Sequence, residues 1–474
     1  MYTLVKCTGR SIGYENEHEM TQVASDYIRR NVHLIDCPLK FSSPDDIVCE
    51  CVQGNVVRVN ECFKCYDKSD LSRMIFLKRT GIGIPNADGR NCPSIEEIGM
   101  KIFSKYTTSM SPTVYHYDSK DNFIICEWLE GYHTMRDNFV GGSIDADMAR
   151  QIGTVMGRNH ARSHTAFNNH SIIQEYVRTF HNHEFYRWGS SNLFRHLEEK
   201  FERWRKEDIT QNDSILMVLY EHELDRDVFE ALKILHSIFL DKKESLVHCD
   251  LTCNNIMVSQ NGDDTSNSDS SVKVVDFERF SFGPTGMDLG IYISNHILYY
   301  AAHTSTIARR NILSSMKAVI EAYKSAFLVQ ARYMISVRNL TVCCETVFEE
   351  ILIDAAGFAG IFSMFSNLLE SERNIFPISD FPEVNWGDSS GWITGVRRRQ
   401  LRMAGLLLRT FINVTRDGDG DGLYGVDIRT DADTKDAYSM QVKQHQKFSA
   451  QDIVYAIIED DKYLSSESYT EFWH

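Results

Sequence analysis

The segment from Leu246 to Gly290 limits the possible fold and function of this chain more than any other part of the sequence. In it, an ordered set of polar residues flanks two short β-like runs. It reads LVHCDLTCNNIMV, then a polar spacer, then VKVVDFERFSFGPTGMDLG. The β-branched runs Ile256 to Val258 and Val272 to Val275 predict a hairpin with a long polar loop between its strands. A single HxD triplet is common in ordinary loops. Here HxDxxxxN, DxE and GPxGxDxG follow one another within one short segment, so we interpret them as one functional site.

The residue types in this segment are those that phosphoryl transfer requires. Asp250 is suited to orient an attacking hydroxyl and to accept its proton. Asn255, Asp276 and Glu278 offer oxygen ligands for a magnesium ion that neutralises phosphate charge. We expect His248 to hold the loop in shape by hydrogen bonding. The sequence thus predicts His248, Asp250 and Asn255 as catalytic residues and Asn255, Asp276 and Glu278 as metal ligands.

The patterning along the chain changes from strand-like to helical. Apolar runs typical of strands occur at 47–59, 73–78 and 122–129, with a helical pattern at 94–106. Helical spacing dominates from about residue 145, and we predict helices at 149–164, 222–240, 308–331, 346–369 and 398–412. We therefore predict an α+β protein. Its parts are a β-rich N-terminal lobe at 1–130, a mainly helical lobe at 131–430 and a polar tail at 431–474.

Charge and hydropathy exclude several classes of partner. The chain has a formal net charge of -16, so nucleic acids and anionic membrane surfaces would repel it. The chain lacks a run of about 18 apolar residues, the length needed to span a membrane, and its first 30 residues lack the apolar core of a signal peptide. We expect a cytoplasmic protein that binds neither nucleic acid nor a membrane.

Two further motifs are weaker. Cys62 and Cys65 form a CxxC pair, but no second pair lies at zinc-ribbon spacing, so we expect reduced thiols rather than a zinc site. Asp417 to Ile428 reads DGDGDGLYGVDI, which resembles the start of an EF-hand loop. Because Ile428 stands where such a loop has its bidentate glutamate, we interpret this stretch as an acidic turn rather than a calcium site.

The site segment resembles the kinase-like phosphotransferases that include aminoglycoside, choline and S-methyl-5-thioribose kinases, and it is most similar to the last group. The DxE motif is matched by Asp276 to Glu278, and the GPxGxD stretch by Gly283 to Asp288. Pro112 to Gly142 and the DAAGFAG stretch at Asp354 to Gly360 also resemble that family. The resemblance implies a protein-kinase-like two-lobed fold, with ATP and Mg²⁺ bound between the lobes.

The same resemblance assigns an ATP-binding set in the first lobe. Gly54 and Asn55 would form a turn through which backbone amides approach the phosphates. Lys78, at the end of a strand, would contact the α and β phosphates and pair with Glu97, with Glu96 as the alternative partner. A hinge would place backbone groups beside the adenine. The hinge residues are Glu127, Trp128 and Leu129.

The chain departs from the thioribose kinase pattern at one point. That family carries an arginine pair thought to contact the sugar, and Phe365 and Ser366 align with the pair here. Arg373 or the arginines at 397–399 are candidate replacements. The expected activity is phosphorylation of the 1-hydroxyl of methylthioribose in methionine salvage. A kinase for choline, an aminoglycoside-like sugar or homoserine, and a silent nucleotide-binding scaffold, stay open as alternatives, as does a homodimer.

Overall fold

A five-stranded antiparallel sheet forms the N-terminal part of the protein, with strand order β1-β2-β3-β5-β4. The structure is a computed structural model, and it describes residues 17–34, 41–52, 61–79, 93–106, 110–199, 202, 226–260, 271–370 and 389–416. The strands of this sheet are β1 (Ile47–Cys51), β2 (Glu61–Asp67), β3 (Asp70–Arg79), β4 (Val114–Asp118) and β5 (Phe123–Glu127).

The two faces of this sheet are covered by different helices. Helix α1 (Glu17–Asn31) packs its buried residues, among them Tyr27, against Phe63 and Ile75 on the outer face. Helix α2 (Pro93–Tyr106) and the remainder of the protein cover the inner face. Because side chains alternate along a strand, Lys78 lies on the face opposite to Ile75 and Leu77. The sheet therefore presents this lysine toward the second lobe.

The second lobe is mainly helical. Its helices are α3 (Met135–Val140), α4 (Ala146–Ser163), α5 (His170–Thr179), α6 (His183–Trp188), α7 (Arg226–Asp241), α8 (Gly286–Ala302), α9 (Thr306–Arg338), α10 (Cys344–Glu370) and α11 (Ser389–Arg416). The five helices predicted from apolar spacing are confirmed, with ends that shift by a few residues or, for α9 and α11, by up to about two turns. Helix α8 was not predicted, because it is buried on nearly all sides and has no polar face. The predicted α+β class is confirmed.

Two small sheets lie at the junction with the helical lobe. One has the order β6-β8-β9, formed by β6 (Tyr132–Thr134), β8 (Ile256–Ser259) and β9 (Val272–Val274). The other pairs β7 (Ser245–Val247) with β10 (Ser281–Gly283). The predicted hairpin is confirmed, with Ile256 opposite Val274 in antiparallel register. These strands bracket the loops that carry the predicted site residues.

Nine of the twelve cysteines lie in the described ranges. The nine cysteines in the described ranges are free thiols. Cys62 and Cys65 are three positions apart on β2, so they face opposite sides of the sheet, and no group of three His, Cys, Asp or Glu residues in the described ranges could by itself hold a metal ion. No helix within those ranges has the length and apolar character needed to cross a membrane.

Candidate active site

The loop between β7 and β8 carries His248 and Asp250 and is held by a network of hydrogen bonds. Nε2 of His248 donates to the carbonyl of Val275 at 3.0 Å, and Nδ1 accepts from the backbone N–H of Asp250 at 3.2 Å. This arrangement places the histidine proton on Nε2. His248 therefore connects its own loop to the loop that follows β9.

Asp288, at the start of α8, holds the same loop in place through hydrogen bonds with its backbone. Its two carboxylate oxygens accept the backbone N–H groups of His248 at 2.7 Å and of Cys249 at 2.8 Å. Nε2 of the buried His160 lies 3.1 Å from the same carboxylate. Burial alone would raise the pKa of Asp288, but its hydrogen bond and charge interaction with His160 hold that pKa below its ordinary value. The carboxylate thus stays ionised as a fixed acceptor.

Asp250 is nearly buried and accepts hydrogen bonds from two side chains. Nδ2 of Asn255 lies 3.2 Å from Oδ2 of Asp250 and 2.8 Å from its backbone carbonyl. Nη1 of Arg279 lies 3.1 Å from Oδ1. Because the amide nitrogen of Asn255 is directed at Asp250, its amide oxygen is the atom that can serve a cation. The structure brings the predicted Asp250 and Asn255 together.

Lys78 joins the sheet to the loop after β9. Its ammonium lies 2.5 Å from Oδ1 of Asp276, 2.8 Å from Oε1 of Glu96 and 3.8 Å from Oε2 of Glu278. Three carboxylates around one ammonium leave an excess of negative charge. Oxygen donors with surplus negative charge suit Mg²⁺, which needs only one or two protein carboxylates when phosphates and water complete its shell. Asp276 and Glu278, which meet at the Lys78 ammonium, are therefore donors of the kind that a nucleotide-bound magnesium ion takes.

Burial and charge shift the pKa values of this cluster in opposite directions. Burial would lower the pKa of Lys78, but the carboxylates of Asp276, Glu96 and Glu278 together hold it well above its ordinary value. Burial would raise the pKa of Asp276, yet the Lys78 ammonium keeps it below the ordinary value. For Glu96, burial outweighs the same lysine and raises the pKa to about 7. Lys78 is therefore a permanent cation.

The predicted pairing of Lys78 with Glu97 is wrong. Glu97 instead pairs with Lys101 on the outer surface of α2, and the buried partner of Lys78 is Glu96. Successive residues on a helix point about 100° apart, so only one of two adjacent glutamates can face the sheet. The orientation of α2 makes Glu96, the alternative partner in the sequence-based prediction, the partner of Lys78.

The predicted hinge follows β5, next to β3 in the sheet. Glu127, the last residue of β5, pairs with Ile75 on β3. Ile75 is three positions before Lys78 on that strand, so the hinge and the lysine are separated by roughly 10 Å. Oε1 of Glu127 lies 2.8 Å from Nζ of Lys273, and the indole N–H of Trp128 donates to Glu130 at 2.6 Å. Leu129 accepts a backbone hydrogen bond from the N–H of Tyr132 at 3.3 Å. The side chains of Glu127 and Trp128 are thus tied to their surroundings.

Several predicted positions lie outside the described residues. They are Gly54, Asn55, Arg373, Asp417 to Ile428 and the tail at 431–474. Phe365, by contrast, is buried on α10, and its ring packs edge-on against Trp188 with 6.4 Å between centroids. An apolar aromatic contact thus stands at the position that aligns with one of the family arginines.

Three residues that shape the site had no role in the sequence-based prediction. Asp288 belongs to the GPxGxD stretch, His160 belongs to no motif, and Arg279 is the residue directly after the DxE motif. Only Asp288 had a usable signal, since a buried acid in a glycine-rich stretch needs partners. His160 and Arg279 reach the site through tertiary packing that no local pattern encodes.

The backbone is strained at two points of the site. Four non-glycine residues in the described ranges have positive φ, and two of them are Cys249, at 65°, and Asp276, at 66°. Such left-handed conformations are costly for residues with a Cβ and persist where surrounding contacts impose them. Here the Asp288 carboxylate and the Lys78 ammonium are those contacts.

Known sequences resemble this chain over much of its length. The sequence model of the choline/ethanolamine kinase family matches residues 95–365, more than half of the chain. A methylthioribose kinase of Bacillus pumilus is 25% identical over 279 residues, which cover 56% of this chain and 64% of that enzyme. The matched region thus spans a little under two thirds of this relative's length. The predicted resemblance to methylthioribose kinases is confirmed.

A second methylthioribose kinase, from Bacillus cereus, is 24% identical over 362 residues, which cover 73% of this chain and 83% of that enzyme. Among solved structures, a choline/ethanolamine kinase family protein from Mesorhizobium loti aligns over 82% of this chain and 98% of its own, with a TM-score of 0.41 and 15% identity.

Proposed function

Because the chain belongs to the choline/ethanolamine kinase family, we propose that it is an ATP-dependent kinase of a small hydroxylated metabolite. The observation that carries this proposal is the contact between Lys78 and Asp276, which lies beside the loop of Asp250 and Asn255. A lysine, a metal-ligating acid and a hydroxyl-orienting acid are the parts that phosphoryl transfer needs. A silent scaffold has no requirement for all three.

In the proposed mechanism, ATP lies between the two lobes. Lys78 holds the α and β phosphates, and the backbone at Glu127 to Leu129 contacts the adenine edge. Gly54 and Asn55, which lie outside the described residues, stay part of the proposed ATP-binding set. Asp276, Glu278 and the oxygen of Asn255 would hold magnesium, which neutralises the phosphate charge. We propose that residues 1–130 form the nucleotide-binding lobe, that residues 131–430 form the lobe with the catalytic loops, and that 431–474 is a tail.

Asp250 has the central role in the proposed reaction. Its carboxylate orients the acceptor hydroxyl for in-line attack on the γ-phosphorus and accepts the hydroxyl proton. As the new P–O bond forms, the bond from the γ-phosphorus to the β–γ bridging oxygen breaks and ADP leaves. Asn255 keeps that carboxylate in place through its amide nitrogen, and His248 fixes the backbone on either side. The acceptor that the named relatives support is methylthioribose, phosphorylated at its 1-hydroxyl. A place in methionine salvage, a cytoplasmic location and a homodimer are parts of the same proposal.

One observation favours a second acceptor within the same reaction class. Phe365, which aligns with a family arginine, is buried against Trp188. Without that cation, recognition of the sugar would rest on other residues. A kinase for a different hydroxylated metabolite is therefore the second candidate.

The test is ADP release from the full chain with Mg²⁺-ATP and single acceptors, comparing wild type with Asp250→Asn. We expect turnover to fall by about 10²- to 10⁴-fold in the variant while Mg²⁺-ATP still binds. Asp147→Asn, at an exposed acid on α4, is the matched control and should behave as wild type. Unchanged turnover in folded Asp250→Asn would contradict the assigned role, and ATP binding without turnover of any acceptor would favour a scaffold.

A further inference from the structure

A guanidinium lies directly beside the carboxylate that would orient the acceptor. Nη1 of Arg279 is 3.1 Å from Oδ1 of Asp250, and the two side chains are only 12% and 9% exposed. A hydroxyl that Asp250 orients must lie about 2.7 Å from one of its oxygens. If that oxygen is Oδ1, the reacting hydroxyl lies within about 6 Å of the guanidinium. The acceptor therefore reacts in the immediate field of a buried cation.

Arg279 is held in this position by contacts with α6 and its N-cap. Nδ2 of the buried Asn182, which caps α6, donates to the backbone carbonyl of Glu278 at 3.1 Å. At the other end of the same helix, the ring of Trp188 lies 4.6 Å from Cζ of Arg279. These contacts fix the turn and the guanidinium together, so the charge is preorganised.

The aromatic wall next to Arg279 is unsuited to a cationic acceptor. Trp188 is the ring beside the site, and a quaternary or primary ammonium would bind to the face of such a ring. That interaction is already made by Arg279, whose charge would also repel the ligand. The indole N–H of Trp188 is buried and, among the described residues, has no hydrogen-bond partner. The group that borders Asp250 is the Arg279 guanidinium, a cationic donor that matches an anion.

We propose that Arg279 is a specificity-determining residue and that the acceptor is a polyol carrying an anionic group, a carboxylate or a phosphate, near its reacting hydroxyl. This rests on the proposed kinase function and deepens its second candidate, a kinase for a hydroxylated metabolite other than methylthioribose, by naming the acceptor class. The anionic group pairs with the guanidinium, while the neighbouring hydroxyl is held by Asp250. Methylthioribose, which is uncharged, lacks such a group. Arg279 thus supplies from the loop after β9 a cation that α10 lacks at Phe365.

A charge series on one sugar frame tests the proposal. The full chain with Mg²⁺-ATP is offered ribonate, ribose 5-phosphate, ribose and methylthioribose, with choline as a cation. We expect kcat/KM for a carboxylate or phosphate member to exceed that for the neutral sugars by at least about tenfold. Comparing ribonate with ribose 5-phosphate shows whether the site recognises a carboxylate or a phosphate. Preference for a neutral or cationic acceptor overturns the inference.

Variants then assign the preference to Arg279. In Arg279→Gln, which also removes a hydrogen bond to Asp250, kcat/KM should fall with every acceptor but by about 10- to 100-fold more with the anionic acceptor, mainly through a higher KM. Arg279→Lys should keep part of the preference because it keeps the charge. Arg187→Gln, which removes a mostly exposed arginine on α6, is the matched control. An equal loss with every acceptor would mean that Arg279 only supports Asp250, and would overturn the inference. If Arg279→Gln fails to fold, the wild-type series still decides.

A binding measurement separates this inference from the kinase proposal. The rise in melting temperature on adding each acceptor is measured with a non-hydrolysable ATP analogue and Mg²⁺ bound. Binding of the anionic acceptor that depends on Arg279, without ADP release, supports the inference and refutes the kinase. Turnover of methylthioribose or choline alone supports the kinase and refutes the inference. Neither binding nor turnover with any member refutes both.

Discussion

Lys78 and Asp276 are 198 positions apart in the sequence, yet the lysine ammonium lies 2.5 Å from a carboxylate oxygen of the aspartate. This contact joins the inner face of the N-terminal sheet to the loop that follows β9. The same ammonium reaches Glu96 on α2. One side chain therefore ties together three elements, and substitutions around it give direct tests of the arrangement.

The adjacent glutamates of α2 should respond very differently to the same change. Glu96→Gln removes the buried partner of Lys78, and we expect a loss of about 1.5–3 kcal/mol in unfolding free energy together with weaker Mg²⁺-ATP binding. Glu97→Gln breaks only a surface pair with Lys101 and should change stability by less than about 1 kcal/mol. Denaturant unfolding and ATP titration of both variants check this. Equal behaviour of the two would contradict the helix phase described above.

Asp288→Asn should loosen the loop that carries Asp250. The substitution turns an acceptor of two backbone N–H groups and His160 into a mixed donor and acceptor, so a buried polar group loses its partner. We expect a loss of about 1–3 kcal/mol in stability and a lower kcat with little change in ATP affinity. Urea unfolding and steady-state kinetics measure both. Asp147→Asn is the surface control, and wild-type kcat in Asp288→Asn would disprove the anchoring role.

Two buried histidines should make the protein sensitive to mild acid. Burial lowers the pKa of His164 and of His296 to about 4, from an ordinary value near 6.5. Between pH 4 and 6.5 the unfolded chain therefore binds more protons than the folded one, so stability falls as pH falls through this window. Each histidine contributes a slope of about 1.4 kcal/mol per pH unit. Denaturant unfolding at several pH values measures the slope.

A histidine variant assigns that slope. In His296→Gln the dependence of stability on pH should become shallower, because one of the two groups no longer titrates. His170→Gln, at an exposed position on α5, should leave the slope unchanged. If His296→Gln keeps the full wild-type slope, that histidine does not contribute to acid sensitivity.

Lys243 should react with amine-directed reagents at a lower pH than a surface lysine. Burial lowers its pKa to about 8, and its ammonium lies 3.7 Å from the ring centroid of Tyr186. Near pH 8 the Lys243 side chain is then neutral in about half of the molecules, and the neutral amine is the nucleophilic form. Mass spectrometry of timed labelling at pH 7 to 10 measures this, with the exposed Lys317 as comparison. Parallel pH profiles for the two lysines would count against the shift.

The parts of the fold and site that could be predicted are those that local patterns encode. The helical spacing of α4, α7, α9, α10 and α11 reflects one buried face, and the spacing of His248, Asp250 and Asn255 reflects a loop between two short strands. In α1, Met20, Val23, Tyr27 and Ile28 have helical spacing, so a usable signal was present but not recognised. Helix α8 gave no such signal, because a helix buried on all sides has no periodicity.

The remaining features depend on contacts between distant segments. Whether Glu96 or Glu97 faces the sheet depends on the phase of a helix, which a shift of one residue reverses. Arg279 follows the DxE motif in the chain, but its contact with Trp188 depends on how α6 packs on that turn. Packing of this kind is set by the whole core, so no window of the sequence contains it.

Helix α4 has consequences for how this protein tolerates variation. Gly153 and Gly157 lie against the backbone of α9, where a Cβ would collide with the carbonyls of Val319 and Tyr323. One turn further along, His160 reaches Asp288, which holds the Asp250 loop. Any side chain at the two glycines would push α4 outward and carry His160 with it. In a genetic screen, inactivating alleles should therefore appear at this contact between α4 and α9 as well as at the catalytic loops.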